Sequence, residues 1–168
     1  MARSQRTEER RRELVKAAFD CVAEKGFEGL RLRDVAARVG LDHSTVHHYF
    51  PGKQDLVTGI VDYATQQFWT PGAPVGDLDD HLGMLARLIS ERPALFLVLR
   101  ELDLRATRDA EVRAIVESRE RGWRDALAAR VQPGHVELVI AVVKGVSLTP
   151  GLAGQVLSQL RTLLKGSA

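Results

Sequence analysis

The chain has 168 residues, 45% hydrophobic, 5% aromatic and 27% charged, with a formal net charge of +2. That length holds one ordinary domain or two small ones around a real core, and the scarcity of aromatics beside abundant Leu, Val and Ala favours helices over sheet. A single cysteine, Cys21, excludes an internal disulfide. No apolar run is long enough to span a membrane and the basic, polar N-terminus lacks a signal-peptide core, so a cytoplasmic protein with no membrane partner is expected.

Residues 1–6 read as a short basic arm. Arg3 and Arg6 either touch phosphates or the minor groove or belong to a solvated tail, and the tail is preferred. Thr7 is expected to cap a helix running to about Lys25, with Leu14, Val15, Ala18, Phe19 and Val22 as its buried stripe. Cys21 falls inside that helix, where core packing is preferred to a redox role. Gly26 ends the helix and Phe27 packs back against it.

Leu32 to Lys53, LRDVAARVGLDHSTVHHYFPGK, is the most informative stretch. Leu32, Val35, Ala36 and Val39 recur at helical spacing, and Ala36 is small enough to let a second helix approach. Gly40 supplies the left-handed conformation that a sharp turn needs. Leu41 is expected to plug the turn into the core, and Asp42 to cap a second helix over about His43–Tyr49. Val46 and Phe50 point inward. The outer face is left to His43, Ser44, Thr45, His47 and His48, none acidic and none a large apolar residue. Such a face suits a helix lying in a DNA major groove, where polar tips reach base edges and phosphates. Pro51 stops the helix, Gly52 caps the next, and Lys53 at its start is placed to hold a phosphate. Residues 1–60 carry eleven Lys/Arg and nine Asp/Glu, so the whole excess of +2 lies there, with three of the five histidines. That is a modest electrostatic footprint for nucleic acid.

The stretch AAFDCVAEKGFEGLRLRDVAARVGLDHSTVHHYFPGKQDL resembles the DNA-binding domain of TetR-family transcriptional regulators. The matching marks are Gly26-Phe27, Asp34-Val35-Ala36, Gly40-Leu41, Val46-x-x-Tyr49-Phe50, and Lys53 followed by Leu56. The resemblance covers about residues 7–60; the rest is similar only in size and helical character. It implies a three-helix head whose third helix reads DNA, with Arg31, Arg33, His43, Ser44, Thr45, His47, His48, Tyr49 and Lys53 as the DNA-binding residues. Arg31 stands where the family usually has a capping Thr or Ser, His47 where a tyrosine is common, and Gly52 where a capping Ser is common.

A fourth helix is expected from Lys53 to about Trp69, with Leu56, Ile60, Tyr63, Ala64 and Phe68 on its apolar face; in the family it links head to body. The Pro/Gly-rich Thr70–Gly76 reads as a loop. Five helices follow: Asp77–Glu91, Pro93 to about Ala106, a long helix capped by Asp109 and ending near Val131, one opened by Pro133-Gly134, and a last one opened by Pro150. The division expected is therefore a head at 1–52, a connecting helix at 53–69 and a body at 77–168, all-α throughout.

The helix after Pro133 is apolar nearly all round, so two layers must cover it. Pairing the last two helices with their copies in a second subunit would do this, through Val139, Val142, Val143, Val146, Leu152, Val156, Leu160 and Leu163, with Gly145, Gly151 and Gly154 allowing close approach. The alternative is the central helix of a monomeric bundle; the homodimer is preferred, chiefly because the resemblance implies it.

Arg119 lies on one stripe with Val112, Ile115, Val116 and Trp123, while Arg100 and Asp103 lie near Phe96 and Leu99. A charge within an apolar stripe can orient a ligand between helices. Met84, Leu88, Phe96, Leu99, Arg100, Asp103, Arg119 and Trp123 are therefore the candidate lining for a small-molecule effector; a structural Arg119–Asp103 pair and plain core are the alternatives. His43 and His47 have the i, i+4 spacing of a metal pair, but DNA contact explains them better and no metal or cofactor is expected. Neutral or charged, these histidines should make DNA binding somewhat pH-sensitive. No nucleophile–base–acid set or phosphate loop appears, so no enzyme is expected. What remains is a ligand-responsive regulator, most simply a repressor that binds a palindromic operator as a homodimer and leaves it when a small molecule binds. The competing class is a helical interaction module or small-molecule carrier that has lost DNA binding.

Overall fold

The structure, a computed structural model, describes residues 2–67 and 76–166, with side chains from Gln5 onward. The helices are α1 (Ala2–Lys25), α2 (Leu32–Arg38), α3 (His43–Tyr49), α4 (Lys53–Gln66), α5 (Leu78–Glu91), α6 (Pro93–Ala106), α7 (Ala110–Ala128), α8 (Val136–Val146) and α9 (Ala153–Lys165), with single 3₁₀ turns at Pro133–His135 and Pro150–Leu152. The fold is all-helical. Helix α1 starts at Ala2 rather than at Thr7. Nothing in Ala2–Arg6 breaks a helix, so the residues expected as an arm join it and Thr7 lies within α1 rather than at its start. The expected ends of the connecting helix, Phe68 and Trp69, and the loop residues Thr70–Val75 lie outside the described residues.

One compact unit comprises α1–α4 together with Glu101–Val116. Its core is Leu14, Ala18 and Val22 of α1, Val35 and Ala36 of α2, Val46 and Phe50 at α3, and Leu56, Ile60 and Ala64 of α4, all 2% exposed or less. Helix α4 approaches α1 so closely that a Cβ on Gly59 would lie 2.8 Å from Val15 Cγ2, so only glycine fits that crossing without movement. The Phe19 and Tyr63 rings meet edge-on at 5.3 Å along the same contact. Cys21 is 1% exposed, and burial raises its thiol pKa, which keeps it protonated as a core side chain.

The other unit comprises α5, α6 as far as Arg100, and the chain from Glu117 through α9. Helix α5 packs along α9, and α8 packs on α9. Asp77 Oδ1 accepts from Asp80 N at 3.0 Å, satisfying an open amide at the start of α5. Lys165 Nζ lies 2.5 Å from Asp79 Oδ2 and ties the end of α9 to α5. Both expected proline starts open as 3₁₀ turns, because a proline has no amide to give and its fixed φ suits the first turn.

Within this unit the chain covers one side of α8 itself. Val139, Val143, Val146 and Leu160 are 0–5% exposed and form part of its core. Of the eight residues expected at a dimer interface, Val142 and Val156 are half-buried and Leu152 and Leu163 are exposed.

Candidate nucleic-acid interface

Three short backbone bonds build the turn between α2 and α3. Val39 N and Leu41 N reach Ala36 O at 3.2 and 2.9 Å, and Gly40 N reaches Ala37 O at 3.2 Å. Gly40 has φ +67°, and a Cβ there would touch nothing, so the glycine is required by conformation alone. Leu41 is half-buried rather than fully inserted. Asp42 holds the N-cap position of α3 with φ −74° and ψ 149°, but its carboxylate makes no cap bond; the bond across the first turn runs from Thr45 N to Asp42 O at 3.0 Å. At the next start Gly52 N donates to Asp55 Oδ2 at 2.9 Å, so the connection between α3 and α4 is pinned by a side chain three residues on.

Helix α3 is anchored from beneath. Val46 and Phe50 are fully buried, and the Arg11 guanidinium lies 5.0 Å over the Phe50 ring. His43, Ser44, His47 and His48 are exposed, and Thr45 and Tyr49 half-buried. His43 and His47 meet edge-on at 4.8 Å, one turn apart, and His48 lies edge-on to Tyr49 at 6.1 Å. Lys53 is exposed at the first position of α4. Arg33 is 81% exposed and sits 3.6 Å from Asp34. Arg31, the N-cap of α2, makes no cap bond. Its Nη1 instead donates to Glu28 O at 2.7 Å and Leu30 O at 3.4 Å, so the guanidinium stitches the preceding turn. Every candidate DNA-contacting residue thus lies on α2, α3 or the start of α4. Among the described residues, no three His, Cys, Asp or Glu side chains gather as metal ligands.

The residues expected around an effector do not all share a unit: Asp103 falls in the first, the other seven in the second. Phe96 and Leu99 are core, at 2 and 3% exposure; Met84 and Leu88 are half-buried. Arg100 Nη1 donates to Ser147 Oγ at 2.9 Å, and Trp123 Nε1 donates to His81 Nε2 at 3.3 Å. The charge that the α7 stripe takes inward most deeply is Glu120, whose side chain is 8% exposed against 15% for Arg119. Lys144 bonds it, Arg124 lies 3.2 Å away and Arg119 3.6 Å. Burial by itself would raise the Glu120 pKa, but these three cations outweigh it and hold the carboxyl below its usual value.

Neither His81 nor Glu120 was singled out by sequence. Glu120 stands four residues after Val116 and three before Trp123, and His81 three after Leu78, so each occupies a stripe position that an apolar residue would normally fill. His81 accepts from Trp123 as a neutral ring. Its burial first, and Arg130 second, hold its pKa below the usual value of 6.5. A depressed histidine pKa stabilises the fold fully above the unfolded value, and that stability is lost as pH falls from about 6.5 toward the folded value. Thermal melts should therefore show stability falling below about pH 6.5, and His81→Gln, which keeps an acceptor for Trp123, should flatten that fall. An unchanged slope in the variant would remove His81 as its cause.

The arrangement defines an all-helical, helix-turn-helix protein with a second helical unit. Residues 14–60 match the family described as "Bacterial regulatory proteins, tetR family". No curated protein matches the chain. Among solved structures, a transcriptional regulator from Rhodococcus sp. Rha1 is 19% identical, with 94% of this chain and 97% of that one covered at a TM-score of 0.77. Salmonella enterica GusR is 23% identical over 93% of each chain, TM-score 0.75. The multidrug binding protein EbrR complexed with malachite green is 27% identical over 93% of this chain and 98% of that one, TM-score 0.71. The head thus matches the tetR-family model, and the whole chain shares its fold with solved transcriptional regulators. Among the described residues no helix is long and apolar enough to cross a membrane.

Proposed function

We propose that the chain is a ligand-responsive repressor, without enzymatic activity, that acts in the cytoplasm and binds a palindromic operator as a homodimer. The observation that carries this is the outer face of α3: His43, Ser44, Thr45, His47 and His48 present polar tips on a helix whose other side, Val46 and then Phe50, is fully buried. Such a helix is rigid, free of acidic side chains and thin enough for a major groove. Base reading is assigned to His43, Ser44, Thr45, His47 and His48, with Tyr49, Arg31, Arg33 and Lys53 taking phosphates.

Dimerisation is assigned to α8 and α9. Leu138 of α8, Leu163 of α9, and Leu148 and Leu152 between those helices are 45, 68, 61 and 49% exposed, apolar surface that a second copy would cover. Gly145, Gly151 and Gly154 have open space where a Cβ would stand, so nothing in their own chain requires a glycine there. A second copy crossing close by supplies the reason. Two heads related by a twofold axis then read half-sites about one DNA turn, roughly 34 Å, apart.

The effector is read as a small molecule bound in the body among Met84, Leu88, Phe96, Leu99, Arg100, Arg119 and Trp123. EbrR, a structural relative, was solved with malachite green and with ethidium. Effector binding would favour a state in which α4 no longer holds the two heads at operator spacing, and the operator is released. Three variants test the assignment of readers. Lys53→Ala should weaken binding to operator and unrelated DNA alike and flatten the salt dependence by about one counterion. His43→Ala and His47→Ala should weaken operator binding by about 1–3 kcal/mol each while sparing unrelated DNA. A uniform loss in all three would sink the division between base and phosphate contacts.

A further inference from the structure

His43 and His47 stand one turn apart on the same face of α3, both exposed, with ring centroids 4.8 Å apart. Neither ring makes a hydrogen bond or an ion pair with another described residue. DNA contact accounts for polar tips at these positions, but it does not require two imidazoles that meet. Imidazole is the commonest protein ligand of late first-row metal ions, and two histidines at i, i+4 on a helix can hold one ion jointly. With metal–nitrogen bonds of about 2.0–2.1 Å, the two ligand nitrogens on a tetrahedral ion stand roughly 3.3 Å apart. Rings with centroids 4.8 Å apart reach that spacing by turning about their own side-chain bonds, and exposure leaves them free to turn.

The helix beneath holds the pair in register. Val46 and Phe50, both fully buried, fix its other side, so positions 43 and 47 keep their spacing. Helix α3 is only seven residues long and Asp42 makes no side-chain cap bond, so its first turn lacks the support a cap usually gives; an ion joining residues 43 and 47 spans that turn. The other histidines offer no equal pair. His81 accepts from Trp123, and His48 lies about 100° round the helix from His47, edge-on to Tyr49. Two protein ligands leave the remaining positions of an ion to water, so the pair suits an exchangeable ion. Imidazole nitrogen favours Zn²⁺, Ni²⁺ and Cu²⁺ over Mg²⁺ and Ca²⁺, which select oxygen.

We propose that His43 and His47 form a two-imidazole site for a late first-row divalent cation, and that this ion and sequence-specific operator contact exclude one another on α3. The ring nitrogens that hold the ion are the groups that would reach base edges, and a ligating nitrogen has neither lone pair nor proton left for a base. The ion adds positive charge, so contact with phosphates is kept. A metal-loaded head therefore loses its discrimination between sequences rather than all affinity for DNA. The effect is reciprocal: the operator lowers affinity for the ion. The exclusion rests on the reading that the head binds DNA; the ion site does not.

The test is calorimetric titration of the untagged full chain with zinc chloride, in wild type, His43→Ala, His47→Ala and His48→Ala, followed by duplex binding with and without zinc. Wild type should take one ion at the pair. Losing a group that merely supports a metal ligand costs about 10–100-fold in affinity, so losing a ligand itself should cost at least about tenfold in His43→Ala and in His47→Ala. His48→Ala should bind zinc as the wild type does. Positions 43 and 47 are exposed, so neither alanine opens the core. Saturating zinc should weaken wild-type binding to a duplex from upstream of its own gene by about tenfold or more and leave an unrelated duplex bound as before, and magnesium chloride at the same concentration should not reproduce that difference. Zinc binding that survives in both His43→Ala and His47→Ala, or no zinc binding in wild type, overturns the site. Zinc bound at the pair with the upstream duplex held equally tightly overturns the exclusion. No binding to either duplex in the absence of zinc would remove the DNA-binding reading and the exclusion with it, while the titration still decides the ion site.

Discussion

Replacing Phe50 with alanine is expected to cost the head about 3–5 kcal/mol, because a fully buried aromatic side chain leaves a cavity that helices already in contact cannot close. Phe50 is 0% exposed, sits directly after α3, bonds through its backbone amide to Val46 O at 2.8 Å, and supports the Arg11 guanidinium. It is the residue on which α3 ends and from which the chain turns into α4. Total stability for a domain of this size is about 5–15 kcal/mol, so a large share of it would go. Chemical denaturation should show the loss, and DNA binding should fail at temperatures where the wild type still binds. Phe50→Leu, which keeps most of the apolar volume, should lose about 1–1.5 kcal/mol and keep binding. A small loss in Phe50→Ala would mean that α3 is not held from beneath by this side chain.

Glu120→Leu is expected to cost the second unit about 2–4 kcal/mol. Removing one partner of a buried pair leaves the remaining charge uncompensated. The figure stays at the lower end of the usual range because the Lys144 side chain is 27% exposed and Arg124 37%, so both recover some hydration. Arg124 also keeps Glu137 at 2.6 Å. The pH sign follows from the same cluster. A carboxyl held below its usual pKa stabilises the fold above the unfolded value, and that contribution is lost as pH falls through the folded value. The wild type should therefore lose stability on acidification below about pH 4.5, and Glu120→Leu should lose correspondingly less. Urea titrations at neutral and acid pH measure both effects. Equal slopes in the two proteins would show that the cations around Glu120 contribute nothing net.

The head was legible because each of its parts has a local cause. Val35, Ala36 and Val46 fall at helical spacing, and Gly40 occupies a conformation that other residues rarely adopt, so the second and third helices emerge from residues close in sequence. What failed there was fine chemistry: Asp42 has the right residue type and position for a cap, yet its side chain makes no cap bond. Thr7 was a plausible start, but only a breaker would have prevented the helix from running back to Ala2, and there is none. In the body, apolar periodicity placed the helices but could not choose between neighbours. Adjacent residues on a helix differ by about 100°, so a broad stripe on α7 admits either Arg119 or Glu120. The near-continuous apolar run of α8 gave no way to see that Val139 and Val143 face their own chain. The bond from Phe27 N to Glu101 Oε2 was beyond reach altogether, since a link across 74 residues leaves no trace in local pattern.

The central claim is that the outer face of α3 and Lys53 bind operator DNA. The measurement that tests it most directly is the affinity of the purified chain for a duplex from upstream of its own gene across a series of salt concentrations, against an unrelated duplex of equal length. The account predicts binding that falls log-linearly with salt, with the upstream duplex held at least about a thousandfold more tightly. Equal affinity for the two duplexes, or no binding even at low salt, would contradict it.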